Sequence, residues 1–197
     1  PANRPITVRD LLTFTWGFGI LMAPPGAYPI QRAMDELELG QGPPTPAVPP
    51  EPDEWMRRLG TLPLIHQPGD AWLYNTGSDV LGVLIARAAG KPLETFLSER
   101  IFEPLGMVDT GFSVPKMKTD RLATSYGQDA ETGEFEVYDP PKGGQWNEPP
   151  AFPSGAAGLV STVDDYLAFA HMLLNAGEHT GARILSASAV ELLTTNY

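Results

Sequence analysis

Apolar residues recur at helical spacing in several stretches of the chain. Val80, Leu81, Leu84, Ile85 and Ala88 fall on one stripe of a helix over residues 78–89, which Gly90 ends. Tyr166, Phe169, Ala170, Leu173 and Leu174 mark the buried face of a second long helix, capped by Ser161 or Thr162 and ended by Gly177. Thr7 and Asp10 have capping-box spacing ahead of Leu11-Leu12, and Gly17 and Gly19 stop that helix. Ile30, Ala33, Met34 and Leu37 repeat at the same period over residues 30–39. Asp53 can cap a short helix through Leu59, and Pro92 fits the first turn of a helix over residues 93–102. Pro104-Leu105-Gly106-Met107 then reads as a buried turn. Ser186 caps a last helix, cut off at Tyr197. Only Phe135-Glu136-Val137-Tyr138 alternates like a strand. Residues 19–29, 40–52 and 139–153 are Gly/Pro loops. The pattern predicts a mainly helical chain with long Pro-rich loops, few short strands and no internal repeat.

The 21 Pro and 20 Gly of the 197 residues fit long loops on a folded body, because the 42% of hydrophobic residues is ordinary for a core. With 13 Lys+Arg against 24 Asp+Glu, the formal charge is −11. That argues against nucleic acid or an anionic membrane as partner, since both need clustered cations. No cysteine is present, so there is no disulfide framework or thiolate chemistry, and the redox compartment stays open. The three histidines, His66, His171 and His179, share no ligand spacing, so no metal site is expected. The glycines form no phosphate-cradling pattern. The chain opens on Pro1 and reads as cut from something longer, which leaves its localisation open.

The junction Gln67-Pro68-Gly69-Asp70-Ala71-Trp72-Leu73-Tyr74-Asn75-Thr76-Gly77 joins a Pro-Gly turn to the strongest helix. Such a junction can present a polar side chain at a well-held loop tip. Tyr74 and Asn75 read there in two ways. They are a catalytic pair, or Tyr74 packs the turn and Asn75 caps the helix at Thr76.

Several blocks resemble the serine β-lactamase and penicillin-binding protein superfamily, in the branch of class C β-lactamases, related esterases and D-amino-acid peptidases. Residues 6–13 resemble the helix before that family's His-Thr-Ser-Gly turn, which here reads Phe14-Thr15-Trp16-Gly17. Tyr74-Asn75-Thr76-Gly77 resembles its second motif, Tyr-Ser-Asn or a variant. Ile101-Phe102-Glu103-Pro104-Leu105-Gly106-Met107 with Asp109-Thr110, and Gly158-Leu159-Val160-Ser161-Thr162 with Asp165-Tyr166, resemble two further blocks. The blocks are collinear over nearly the whole chain. Tyr74 matches the family tyrosine counted from Pro68-Gly69; Asn75 matches the family asparagine counted back from the helix. One residue between them is missing, so the turn must be tighter.

The resemblance implies one partial domain, residues 1–197: the central, mainly α fragment of an α/β (α+β) β-lactamase/transpeptidase-like fold without most of its sheet. It places the nucleophile's Ser-x-x-Lys upstream of this chain and the third motif downstream. It implies that the parent acylates a serine and hydrolyses the acyl-enzyme on a β-lactam, a small ester or a D-amino-acid peptide or amide, with no cofactor. Tyr74 would move the proton, because a phenolate stabilised by lysine ammonium groups can act as a base. Asn75 would hydrogen-bond the lysine or the substrate amide. The chain alone is expected to be inactive, and its unclothed helical faces to be covered by the rest of the parent chain or another copy. Trp146 could line the substrate cleft or pack under its loop, and the same holds for Trp16. Three other matches are rejected. Ser113-Val114-Pro115-Lys116 lacks the apolar stripe of a buried helix. His179-Thr180-Gly181 follows Gly177 between two helices, where a turn is expected. Lys118-Thr119-Asp120 lacks the glycine. The alternatives are a non-catalytic ligand-binding module on the same scaffold, or a purely structural fragment.

Overall fold

Helix α1 (Val8–Leu12) starts on the capping box that its sequence predicts. Thr7 Oγ1 accepts from the Asp10 amide at 3.2 Å, and the Asp10 carboxylate accepts from the Thr7 amide at 2.8 Å. The helix ends five residues before Gly17, because Phe14 turns left-handed at φ 56° and the Thr15 amide bonds back to the Asp10 carbonyl. Gly17 and Gly19 serve close approach instead. A Cβ on Gly17 would lie 2.4 Å from the His66 carbonyl oxygen, and one on Gly19 2.7 Å from the Tyr74 carbonyl oxygen. The computed structural model describes residues 1–39, 43–129 and 132–195. The start of the Pro-rich loop at 40–42 and Tyr197, the residue at which the sequence reading cuts off the last helix, lie outside them; the helix itself ends within them, at Thr194.

Helix α2 (Pro29–Glu36) and α3 (Pro52–Leu59) follow, each with proline in its first turn. Asp53 is not the cap of α3: Glu51 holds that position, and the Asp53 carboxylate instead pairs with Arg87 at 2.7 Å. Helix α4 (Thr76–Ala89) is ended by Gly90 in the left-handed region, as expected. Pro92 occupies the cap position of α5 (Leu93–Leu97), which runs through a π-helical turn at Ser98–Phe102 into α6 (Glu103–Leu105). A 3₁₀ turn at Lys116–Arg121 precedes β1 (Ser125–Gln128), which pairs antiparallel with β2 (Phe135–Asp139). The sequence showed only β2; its partner Ser125-Tyr126-Gly127-Gln128 carries no alternation of apolar residues. Another 3₁₀ turn spans Gln145–Asn147. Thr162, not Ser161, caps α7 (Val163–Leu174), accepting from the Asp165 amide at 3.2 Å. Two short strands, β3 (Glu178–His179) and β4 (Ala182–Arg183), form a hairpin before α8 (Ala187–Thr194). Thr180 and Gly181 make its turn, both at positive φ, so the expected turn at 179–181 is present and is flanked by strands that the sequence did not signal. Among the described residues the sheets are two-stranded only, and the chain is mainly helical.

Two apolar clusters hold these elements together. Leu11, Trp16, Phe18, Met34, Trp55, Val83 and Phe152 belong to the first, in which Trp55 and Phe152 stack at 4.8 Å. Phe102, Leu105, Met107 and Met172 form the second, between α6 and α7. The buried lines of the two long helices differ from the apolar stripes. On α4, Thr76, Gly77, Asp79, Gly82 and Val83 are buried, whereas Leu84 and Ala88 are exposed. On α7, Asp165 and Met172 are buried, whereas Tyr166 and Leu174 face solvent, Leu174 at 82% exposure. Small residues explain α4: Gly77 and Gly82 let neighbouring backbone reach the helix, so its closest packing runs along its least apolar side. The outward apolar face of α7, with Val163, Leu167 and Leu174, stays uncovered among the described residues.

Candidate active site

The segment leading to Tyr74 is fixed from both sides. Gly69 and Leu73 amides bond to the carbonyls of Thr15 and Phe14 at 2.7 and 2.8 Å, and the Ile20 amide bonds to the Tyr74 carbonyl at 2.9 Å. Asn75 then stands at φ 78° and ψ −73°. The Thr76 amide closes on the Tyr74 carbonyl at 3.2 Å, so residues 74–76 form a γ-turn of the rare positive-φ form. It sends the two side chains to different places. Tyr74, half exposed, packs its ring against Phe14 at 6.0 Å and Trp72 at 5.9 Å. Asn75 holds the cap position of α4, as one reading of the sequence allowed, and its carbonyl accepts from the Ser78 amide at 2.8 Å, but its side chain makes no bond to the helix start.

Asn75 lines a cavity of about 70 Å³ with Ile20, Trp55, Asp79, Phe112, Phe152 and Ser154. That is room for a small group rather than a whole ligand. Asp79 is 8% exposed, and burial raises its carboxyl to about 6 against the opposing hydrogen bonds from Ser154 and the Ala156 amide. Ser154 Oγ lies 2.5 Å from Asp79 Oδ1 and accepts from the Ala156 and Ala157 amides at 3.0 Å each. Sequence reasoning missed both residues. A signal existed for Asp79, an acid inside the helix stretch that runs into Val80-Leu81-Gly82-Val83. Ser154 gave none, because its partner is 75 positions away.

Trp146 is held apart from this cavity. It lines a larger groove of about 640 Å³ with Thr110, Ser113, Lys118, Leu159 and Ser161. Its indole donates to the Gly158 carbonyl at 2.8 Å, and Gly158 also lines the cavity of Asn75. The two sites thus share one loop. Trp16 is buried in the first core cluster, with its indole nitrogen unpartnered among the described residues. Ser113 precedes the 3₁₀ turn that Lys116 opens, so the two do not lie one turn apart on a catalytic helix. His171 and His179 approach to 6.2 Å between ring centres, but no group of three or more metal-ligating side chains converges among the described residues.

The Beta-lactamase family model matches residues 1–197. Protein Rv1367c of Mycobacterium tuberculosis is 42% identical over 197 residues, which are 100% of this chain and 45% of that protein. Esterase EstB of Burkholderia gladioli is 32% identical over 178 residues, 82% of this chain and 43% of the esterase. The solved structure of EstCE1, a hydrolase with promiscuous acyltransferase activity, aligns with a TM-score of 0.70 at 29% identity, over 95% of this chain and 50% of that one. The chain spans under half the length of the curated relatives it matches. Its helices and short strands are therefore part of a β-lactamase/transpeptidase-like fold. Matched along its full length, the chain belongs to the Beta-lactamase family.

Proposed function

We propose that this chain is the central part of a serine hydrolase that works by acyl-enzyme chemistry, with small esters as its substrates. The observation that carries the reading is the γ-turn at Asn75. A strained backbone at the cap position of α4 puts Asn75 on the wall of a cavity and leaves its neighbour Tyr74 half exposed. Tyr74 takes the proton of the attacking serine and returns it to the leaving group. Asn75 hydrogen-bonds the substrate or the lysine paired with the nucleophile. Ester substrates are favoured by the similarity to Esterase EstB.

The serine and its lysine belong to the parent protein outside residues 1–197, so the chain alone is inactive. The rest of the parent covers the apolar face of α7. A fluorophosphonate probe tests this. It is expected to label the full-length parent, which turns over a short-chain nitrophenyl ester faster than a chromogenic β-lactam, and to leave this chain unlabelled. A parent that binds ester or β-lactam without labelling or turnover is instead a ligand-binding module. Labelling of this chain at Ser113 contradicts the assignment of the nucleophile.

A further inference from the structure

Asp79 and Ser154 have no part in the proton transfer assigned to Tyr74, yet they are hydrogen-bonded to each other on the wall of the cavity. A serine hydroxyl has one proton and two lone pairs. At Ser154 the proton faces Asp79 Oδ1 at 2.5 Å, and the Ala156 and Ala157 amides donate to the oxygen at 3.0 Å each. The carboxylate therefore fixes the hydroxyl, and the hydroxyl fixes two successive backbone amides.

The same segment lies directly on α4. A Cβ on Gly155 would sit 2.1 Å from the Ser78 carbonyl oxygen, and one on Gly82 3.1 Å from the Gly155 amide nitrogen. Beyond the two amides, Ala157 and Gly158 line the cavity with Asn75, and the Gly158 carbonyl holds the Trp146 indole. One polar chain thus runs from α4 through Ser154 to both candidate binding surfaces. No cation pairs with Asp79 among the described residues. A buried carboxylate without a counter-charge is a costly way to fasten a loop, and such groups concentrate where a site needs them.

We propose that Asp79 is a positioning residue: acting through Ser154, it sets Ala157 and Gly158 in the cleft beside Asn75 and so governs how tightly substrate is held. This rests on the hydrolase reading above. The test uses the full-length protein and p-nitrophenyl butyrate. Asp79→Ala and Ser154→Ala are each expected to raise KM about ten-fold with kcat changed less than about three-fold. The double variant is no worse than the worse single, because the two side chains act as one unit. Asp79→Asn, which keeps an acceptor for the Ser154 hydroxyl, restores KM to within about three-fold of wild type.

Amide hydrogen exchange gives a second readout independent of activity. The Ala156 and Ala157 amides are expected to exchange at least about ten-fold faster in Ser154→Ala and Asp79→Ala, with the amides of α4 unchanged. If Asp79→Ala fails to fold, Ser154→Ala and Asp79→Asn carry the comparison. Unchanged KM, multiplicative single effects, or faster exchange spread evenly over α4 overturns the proposal. If the wild-type parent does not hydrolyse the ester, the hydrolase reading falls, and the exchange rates at Ala156 and Ala157 alone decide whether the latch stands.

Discussion

The Thr76 amide donates to the Tyr74 carbonyl at 3.2 Å, across an Asn75 held at φ 78° and ψ −73°. Backbone in such a sparsely populated region costs on the order of 1–3 kcal/mol. Glycine tolerates it, and a β-branched residue does not. Asn75→Gly in the full-length parent is therefore expected to raise stability by about 1 kcal/mol in urea denaturation, and Asn75→Val to lower it by about 2 kcal/mol. Both are expected to lower kcat/KM by about ten-fold or more, because the amide that faces the cavity is gone in each. Stability and activity moving together in Asn75→Gly contradicts the assignment.

Trp146 and Gly158 give a second expectation. The indole bond at 2.8 Å is one link between the groove and the loop of the cavity. Trp146→Phe removes the donor and leaves the Gly158 carbonyl without this partner. The expected loss is about 1–3 kcal/mol in a urea melt of the parent. A variant as stable as wild type shows that the bond holds nothing in place.

Asp79 sets a pH dependence whose sign is opposite to the usual carboxylate. Its carboxyl is raised to about 6 in the fold from an ordinary 3.8. Between those values the folded protein holds a proton that the unfolded chain has released, so stability falls as pH rises through the window. Asp79→Asn removes this dependence. Denaturation from pH 4 to pH 7 is expected to show wild type losing on the order of 3 kcal/mol relative to Asp79→Asn. Parallel curves contradict the burial of an ionisable group at this position.

Asp10 works in the other direction. Arg4 grips its carboxylate with two bonds of 2.8 Å, and Thr7 adds its hydroxyl and amide, which hold the group well below the usual carboxylate range. Its stabilisation is present above the ordinary value of 3.8 and is lost as pH falls through the lowered value in the fold. Asp10→Asn is expected to destabilise α1 at pH 7 by about 1–2 kcal/mol, with the gap to wild type closing below about pH 4.

Local signals in the sequence carried the elements with local causes. Thr7 and Asp10 form their capping box within four residues, and Gly90 ends α4 and Ser186 caps α8 as read. The buried lines of α4 and α7 were not legible from apolar period. Gly77, Asp79 and Gly82 are buried by segments far along the chain, and Tyr166 and Leu174 face outward with nothing described to cover them. The candidate site divides in the same way. Tyr74 and Asn75 are candidates by their distances from Pro68-Gly69 and from the helix. Their divergence required the γ-turn, and a turn type at a single non-glycine residue leaves no mark in composition. Asp79 and Ser154 meet only through the tertiary fold.

The most direct measurement is the acylation burst of the full-length parent with p-nitrophenyl acetate, compared between wild type and Tyr74→Phe. The phenol hydroxyl makes no hydrogen bond among the described residues, and its ring contacts with Phe14 and Trp72 survive the change, so the melting temperature should hold. Loss of the proton-transfer group is expected to slow acylation by about 100-fold or more. A burst within about three-fold of wild type contradicts a catalytic role for Tyr74.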